Sequence, residues 1–326
     1  MTAILTSLEV RRVRRIIAGG IFRVAIRPES KTEARVWVVQ DGASTARTDQ
    51  LATEEPLEIR LRVGRAVDGK GPVPVFRRQG AGQRTLSITM RTPGRDFELA
   101  AGFLYGEGIV RGADEIHALS HADDANIEED RRYNIVNVDL RRNTLPDLQS
   151  VERQLYTTSA CGVCGKASLE ALRLRGAPAI APGPVVDADV LRGLPDRLRA
   201  GQGIFDATGG LHAAGLFDLE GNLLALREDV GRHNAVDKLV GWALLQGSLP
   251  LSRHIVMVSG RTSFEILQKC LMAGVPIVCA VSAPSSLAVA VARDFGMTLV
   301  GFLRGDRFNV YAGVDRVRAR QPAPGS

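Results

Sequence analysis

Residues 255–302 read IVMVSGRTSFEILQKCLMAGVPIVCAVSAPSSLAVAVARDFGMTLVGF, and the plan of the larger part of the molecule is set by them. Three short apolar runs, Ile255 to Val258, 275–281 and Thr298 to Phe302, alternate with two amphipathic stretches at 263–272 and 285–294. Strands that alternate with helices of this length pair in parallel, and each connection is a right-handed crossover. Thr262 and Glu265 have capping-box spacing, so a helix is expected directly after Ser259-Gly260-Arg261, with free N–H groups at the strand's carboxyl edge. The second crossover repeats the plan with Ser282-Ala283-Pro284-Ser285-Ser286. The third strand runs into Phe302, Leu303, Arg304, Gly305, Asp306 and Arg307, which brings two guanidinium groups to the same edge. Ligands of open α/β sheets lie at that edge, and this one suits a phosphorylated ligand. Ordinary turns with surface arginines are the plainer alternative.

Upstream, Leu216 to Leu226 reads as two strands around Glu220-Gly221-Asn222, and Asn234 stands where it can cap a helix. Val236, Leu239, Val240, Ala243 and Leu244 form that helix's buried stripe. Residues 227–238 hold seven ionisable groups in twelve positions, which reads either as a site or as a solvated helix start. His212 is expected to be a satisfied buried histidine. Cys270 and Cys279 lie in apolar runs and read as inert core thiols.

Further upstream, Thr157-Thr158-Ser159-Ala160-Cys161-Gly162-Val163-Cys164-Gly165-Lys166 carries a C-x-x-C pair. Gly162 and Gly165 let the backbone turn sharply, and a helix beginning after Gly165 directs its positive end at Cys164 and Cys161. Lys166 adds a cation, so a thiolate is favoured. A zinc site would need two further ligands in a matching knuckle, and a thioredoxin-type dithiol would need a different flanking context. A nucleophilic thiol that carries persulfide sulfur is the third reading and fits the glycine-flanked loop best.

Residues 51–150 read as a smaller α/β unit. Leu57, Ile59, Leu61 and Val63 alternate on one strand face, and Leu86, Ile88 and Met90 on the next; Val136, Val138 and Leu140 give another. Thr92-Pro93-Gly94 breaks the second strand, Asp96 is placed to cap a helix, and Phe97, Ala100, Ala101 and Leu104 recur at helical spacing. The chain thus divides into an extension at 1–50 with little periodicity, partly disordered, a small α/β unit at 51–150, a larger α/β unit at 151–315 and a basic tail at 316–326.

The 42 Lys and Arg against 36 Asp and Glu leave a net charge of +6, much of it at the two ends, which argues against nucleic-acid binding. No apolar stretch is long enough for a membrane span, and four cysteines do not make a secreted disulfide framework. A reducing cytoplasm is the expected location.

Together, Ala52 to Leu57, Thr92 to Leu104, Cys161 to Lys166, Asp229 to Lys238 and Ser259-Gly260-Arg261 closely resemble the formate dehydrogenase accessory sulfurtransferases of the FdhD family, over about Leu51 to Tyr311. The resemblance implies a cytidine-deaminase-like core domain with a smaller N-terminal α/β domain. It implies a sulfurtransferase that accepts persulfide sulfur from a cysteine desulfurase. The recipient would be the molybdenum bis(molybdopterin guanine dinucleotide) cofactor, bound as cargo before it enters formate dehydrogenase. Cys161 would then bear the persulfide with Cys164 as its partner, residues 302–307 would bind the cofactor, and the chain would act as a homodimer. No resident metal is expected. Hydrolytic deamination needs H-x-E followed by P-C-x-x-C, whereas Ala214 follows His212 and Ala160 precedes Cys161 here. A cofactor-binding chaperone without sulfur transfer is the remaining alternative.

Overall fold

The computed structural model describes residues 28–63, 82–124, 126–146 and 165–319, together with a two-residue strand pair at Ile16–Ile17 and Gly20–Ile21. Two sheets organise it. In the smaller, β3 (Glu55–Val63) pairs antiparallel with β4 (Gln83–Arg91) and parallel with β6 (Ile135–Leu140), which pairs antiparallel with β5 (Ile116–His121). The order is β4-β3-β6-β5, and helix α1 (Asp96–Gly106) covers one face. Leu57, Ile59, Leu61, Val136 and Val138 are buried against Leu99, Ala100 and Leu104 of α1, as their alternation requires.

The larger sheet has the order β8-β7-β9-β10-β11-β12, from β7 (His212–Phe217), β8 (Leu223–Asp229), β9 (Ile255–Val258), β10 (Ile277–Ala280), β11 (Thr298–Arg304) and β12 (Arg307–Ala312). The expected parallel run is present, with β9 beside β10 and β10 beside β11. Helices α5 (Arg232–Leu245), α6 (Phe264–Met272) and α7 (Ser286–Asp294) pack on one face, joined by Leu172 of α2 (Gly165–Leu174). The other face is closed by α3 (Ala188–Ala200) through Leu191, Leu194 and Leu198, with the short α4 (Gly203–Thr208) following it. Four-residue strands buried on both faces explain why β9 and β10 are wholly apolar, apart from the Cys279 thiol.

Several local readings are corrected. The extension read as having little periodicity and as partly disordered contains a long antiparallel hairpin, β1 (Lys31–Gln40) with β2 (Ala43–Ala52). Apolar residues lie on both of its faces in β1, with Ala34, Val36 and Val38 half-buried and Trp37 and Val39 exposed, so no clean apolar period marks it. Ile88 and Met90 are 67% and 47% exposed although Leu86 is buried. A bulge in the β3–β4 register, where Ile59 pairs with Ser87 and Arg60 with Thr85, reverses the faces beyond Leu86. Asp96 is the first residue of α1 rather than its cap, which is Arg95 at φ 59°, and its carboxylate binds the buried Arg91 at 3.0 Å.

The two sheets are joined by α1 crossing α5. A Cβ on Gly102 would overlap the Asp237 carbonyl oxygen, and one on Gly241 would overlap the Glu98 carbonyl oxygen, so the backbones touch where only hydrogen fits. Gly241→Ala should therefore force the helices apart and destabilise the protein by about 2 to 3 kcal/mol. A thermal unfolding midpoint equal to that of the wild type would contradict this close crossing.

Candidate functional site at the carboxyl edge of the parallel strands

Each parallel strand ends in a turn, and the three turns lock together. Ser259 closes the first by accepting from the Ala213 amide through its hydroxyl at 2.8 Å, while its own amide donates to the Ala213 carbonyl at 3.0 Å. The Thr262 amide donates to the Ala283 carbonyl at 3.3 Å, and the Ser285 amide returns a bond to the Thr262 carbonyl at 2.9 Å. The Phe302 amide donates to the Ser282 carbonyl at 3.2 Å. Ser259, Gly260, Arg261, the 282–285 turn and the start of 302–307 thus share one edge.

The start of α6 differs from the expected capping box. Ser263, not Thr262, holds the cap position, and Thr262 is 1% exposed with an unpartnered hydroxyl oxygen, because its backbone is committed to the neighbouring turn. At α7 the Ser285 hydroxyl does cap, accepting from the Ala288 amide at 3.2 Å.

Along 302–307 the side chains divide. Phe302 takes φ 53° and is 40% exposed, and Arg304, Gly305, Asp306 and Arg307 are exposed. Leu303 is 0% exposed in the core beneath α3, so its side chain cannot touch a ligand. Arg304 donates from Nε to the Val281 carbonyl at 3.0 Å, which steadies the guanidinium above the second turn. Arg192 fixes the hairpin tip by donating to the Asp306 carbonyl at 3.2 Å.

The ionisable segment 227–238 resolves group by group. Arg227 binds Glu98 through two bonds of 2.5 and 2.9 Å. Glu228 accepts from the Ile204 and Phe205 amides at the start of α4. Asp229 and Lys238, 0% and 2% exposed, form an ion pair of 2.7 Å, and Lys238 also donates to the Thr92 carbonyl at 2.9 Å. Asp237 pairs with Lys269 at 2.7 Å. Asn234 does not cap α5, which begins at Arg232 behind Gly231; its amide donates to the Met90 carbonyl at 2.7 Å and to Asp229 at 3.0 Å. Five of the seven groups are therefore used to join the two sheets and fix α4 and α6. Arg232 and His233 remain.

Arg232 lies near His233, His212 and Glu265, by the start of α6. His233 Nε2 lies 3.0 Å from Ser263 Oγ and 3.7 Å from Glu265. Burial lowers its pKa to about 4, against the pull of Glu265 and with help from Arg232, so the imidazole is neutral at pH 7. His212 is also shifted down, by burial and by Arg232. It is not the satisfied buried histidine expected: the ring is partly exposed, and a Cβ on Gly260 would stand 3.3 Å from its Nδ1. Glu265 titrates below its usual range; burial opposes this, but the Ser263 hydroxyl bond and nearby charge prevail. Neither the His233–Ser263 contact nor the approach of His212 to Gly260 could be read from spacing, since the partners are far apart in the chain.

Cys161 and Cys164 lie outside the described residues. The helix after them is anchored at its far end, where Arg173 binds Asp294 at 2.6 Å and Arg175 binds Glu107 at 2.9 Å. Cys270 and Cys279 are free and fully buried, and burial pushes the Cys270 thiol up to about 12 and the Cys279 thiol upward as well, so neither is a nucleophile. Among the described residues no helix is long and apolar enough to cross a membrane.

A sequence model of the FdhD/NarQ family matches residues 80–318. The sulfur carrier protein FdhD of Streptomyces avermitilis is 53% identical over 288 residues, covering 87% of this chain and 95% of that protein. The sulfur carrier protein FdhD of Mycobacterium tuberculosis is 49% identical, covering 83% and 92%, and that of Sulfurisphaera tokodaii is 40% identical, covering 87% and 97%. A crystal structure from Desulfotalea psychrophila, described as a formate dehydrogenase accessory protein, shares the fold with a TM-score of 0.63 at 24% identity, over 88% of this chain and 99% of that one.

Proposed function

Since the chain belongs to the FdhD/NarQ family, we propose that it is a sulfurtransferase acting as a sulfur carrier for formate dehydrogenase. In this reading the Cys161 thiolate attacks the terminal sulfur of a cysteine desulfurase persulfide. A new S–S bond forms on Cys161, the S–S bond on the desulfurase breaks, and the desulfurase cysteine leaves as a thiolate. The loaded sulfur then goes to the molybdenum bis(molybdopterin guanine dinucleotide) cofactor, the cargo substrate, before it enters formate dehydrogenase. Cys164 is the neighbouring thiol that partners Cys161. A reducing cytoplasm suits a carrier that must keep its thiols free, and a homodimer is its proposed assembly.

The observation that supports the cofactor half of the reading is the interlocking of the three turns, which brings the first turns of α6 and α7 and the exposed Arg261, Arg304 and Arg307 to one edge. Oriented N–H groups and guanidinium forks are the usual partners of diphosphates. Leu303 would contribute through its backbone alone.

Intact-mass measurement after incubation with a cysteine desulfurase and cysteine tests the sulfur half. The expected result is an added sulfur that a thiol reductant removes; an unchanged mass would favour a chaperone that binds cofactor without carrying sulfur. Replacing Arg304 and Arg307 together by alanine is expected to weaken guanine-nucleotide binding roughly tenfold or more, since each charge-assisted bond is worth about 1.5 to 3 kcal/mol. Persulfide loading should persist in that variant. Calorimetry showing unchanged nucleotide affinity would remove the arginines from the site.

A further inference from the structure

At the opposite end of β11 from the turns described above, where Met297 leads into the strand and Gly313 follows β12, the chain forms a cleft of about 520 Å³. Ile180 and Pro182 line it together with Arg293, Asp315 and Arg316. Two contacts hold its walls in place: the Ile180 amide donates to the Phe295 carbonyl at 2.9 Å, and Val186 pairs with Val317. Arg316 donates from one terminal nitrogen to the Gly296 carbonyl at 2.8 Å and from the other to the Ala181 carbonyl at 2.7 Å. The residue is 9% exposed, and its Nε is buried without a hydrogen-bond partner among the described residues. No carboxylate of the described residues is in ion-pair contact with it, and Asp315, which is exposed, acts on it only at longer range. Buried charges are ordinarily paired, because carbonyl oxygens alone do not neutralise them. Arg316 is therefore a buried cation without its anion, on the wall of a cleft.

We propose that this cleft is a ligand site for a small organic monocarboxylate, whose carboxylate pairs with Arg316 and whose apolar body lies against Ile180 and Pro182. Three features select that class. A guanidinium is a planar fork that matches a carboxylate, and the two carbonyl bonds hold this one in a fixed orientation. One buried cation balances one negative charge, whereas a phosphate dianion would bring a second that the Asp315 carboxylate on the same cleft opposes. The volume and the hydrocarbon of Ile180 and Pro182 suit a small molecule with an apolar portion. Arg293 is exposed and spends two N–H groups on the Tyr311 carbonyl at 3.3 Å, so it adds attraction for an anion but no second fork. The site lies at the other end of β11 from residues 302–307 and does not depend on the sulfur-carrier reading.

The test titrates the full chain with hexanoate, butyrate, hexanamide and inorganic phosphate, followed through the N–H resonances of the arginine Nε groups. Hexanoate should bind saturably and move the Arg316 resonance, which is identified by its absence from the Arg316→Met spectrum. Hexanamide, of the same shape but uncharged, should not. Butyrate should bind about three- to tenfold more weakly than hexanoate, because it buries less hydrocarbon. Phosphate should also bind more weakly than hexanoate. Arg316→Met should abolish binding, but it also removes the two carbonyl bonds that hold the walls, so a second variant leaves Arg316 in place. Pro182 is exposed, and Pro182→Asp should lower hexanoate affinity about two- to fivefold by placing a like charge on the cleft, with the unfolding midpoint unchanged. Asp315→Asn should raise that affinity by a similar factor. Equal binding of hexanoate and hexanamide overturns the proposal, as does tighter binding of phosphate or the absence of saturable binding. Pro182→Asp and Asp315→Asn variants that both bind hexanoate as the wild type does overturn it as well.

Discussion

Cys161→Ala is expected to accept no sulfur from a cysteine desulfurase and to leave formate dehydrogenase inactive, with an unfolding midpoint equal to that of the wild type. The effect is total because in transpersulfidation the thiolate is the attacking atom, and no neighbouring group in the described site can substitute for it. The buried thiols Cys270 and Cys279 cannot take over, because burial holds them protonated. Intact mass and the activity of a co-expressed formate dehydrogenase are the two readouts. Full activity in this variant would exclude sulfur carriage through Cys161 and leave the cofactor-chaperone reading standing.

Lys238→Met is expected to have the largest effect on stability. Lys238 and Asp229 are 2% and 0% exposed, and the pair joins the Thr92 turn of the smaller sheet to the start of α5. Removing the cation leaves a buried carboxylate with amide partners alone, a loss of about 3 to 5 kcal/mol. The unfolding midpoint should fall by on the order of 10 °C. Adding Asp229→Asn should restore much of the loss, because the stranded charge goes with it. A double variant no more stable than Lys238→Met would mean that lost packing, not an unpaired charge, is the cause.

Legibility in the sequence followed the range of the interactions involved. The run from β9 to β11 was plain because each strand is a short apolar burst closed by Ser, Gly or Pro, and each helix shows its own period. The convergence of Ser259 to Arg261 with 302–307 on one edge followed from parallel pairing alone. Local side-chain duties were less legible. Asn234 reads as a cap by type and position, yet Asp229 and the Met90 carbonyl, 144 residues away in sequence, claim its amide. Ile88 and Met90 continue a perfect alternation in the chain, and a single bulged residue turns them outward. The hairpin of β1 and β2 shows no clean period because Trp37 and Val39 place apolar side chains on its exposed face opposite the half-buried Val36 and Val38. The density of charge at 227–238 reads equally as a site or as a solvated helix start in the chain, and only the contacts show that five of its groups hold the fold, two of the ion pairs being closed by Glu98 and Lys269 from outside the segment.

The glycine crossing of α1 and α5 also sets a schedule for synthesis. Gly102 leaves the ribosome roughly 140 residues before Gly241, a delay on the order of ten seconds at about 5 to 20 residues per second. For that interval the smaller sheet has its own helix but not the one that packs across it, and the Thr92 turn and Glu98 wait for Asp229, Lys238 and Arg227, still to be translated. The nascent chain must hold this half-finished face in solution until α5 emerges and covers it.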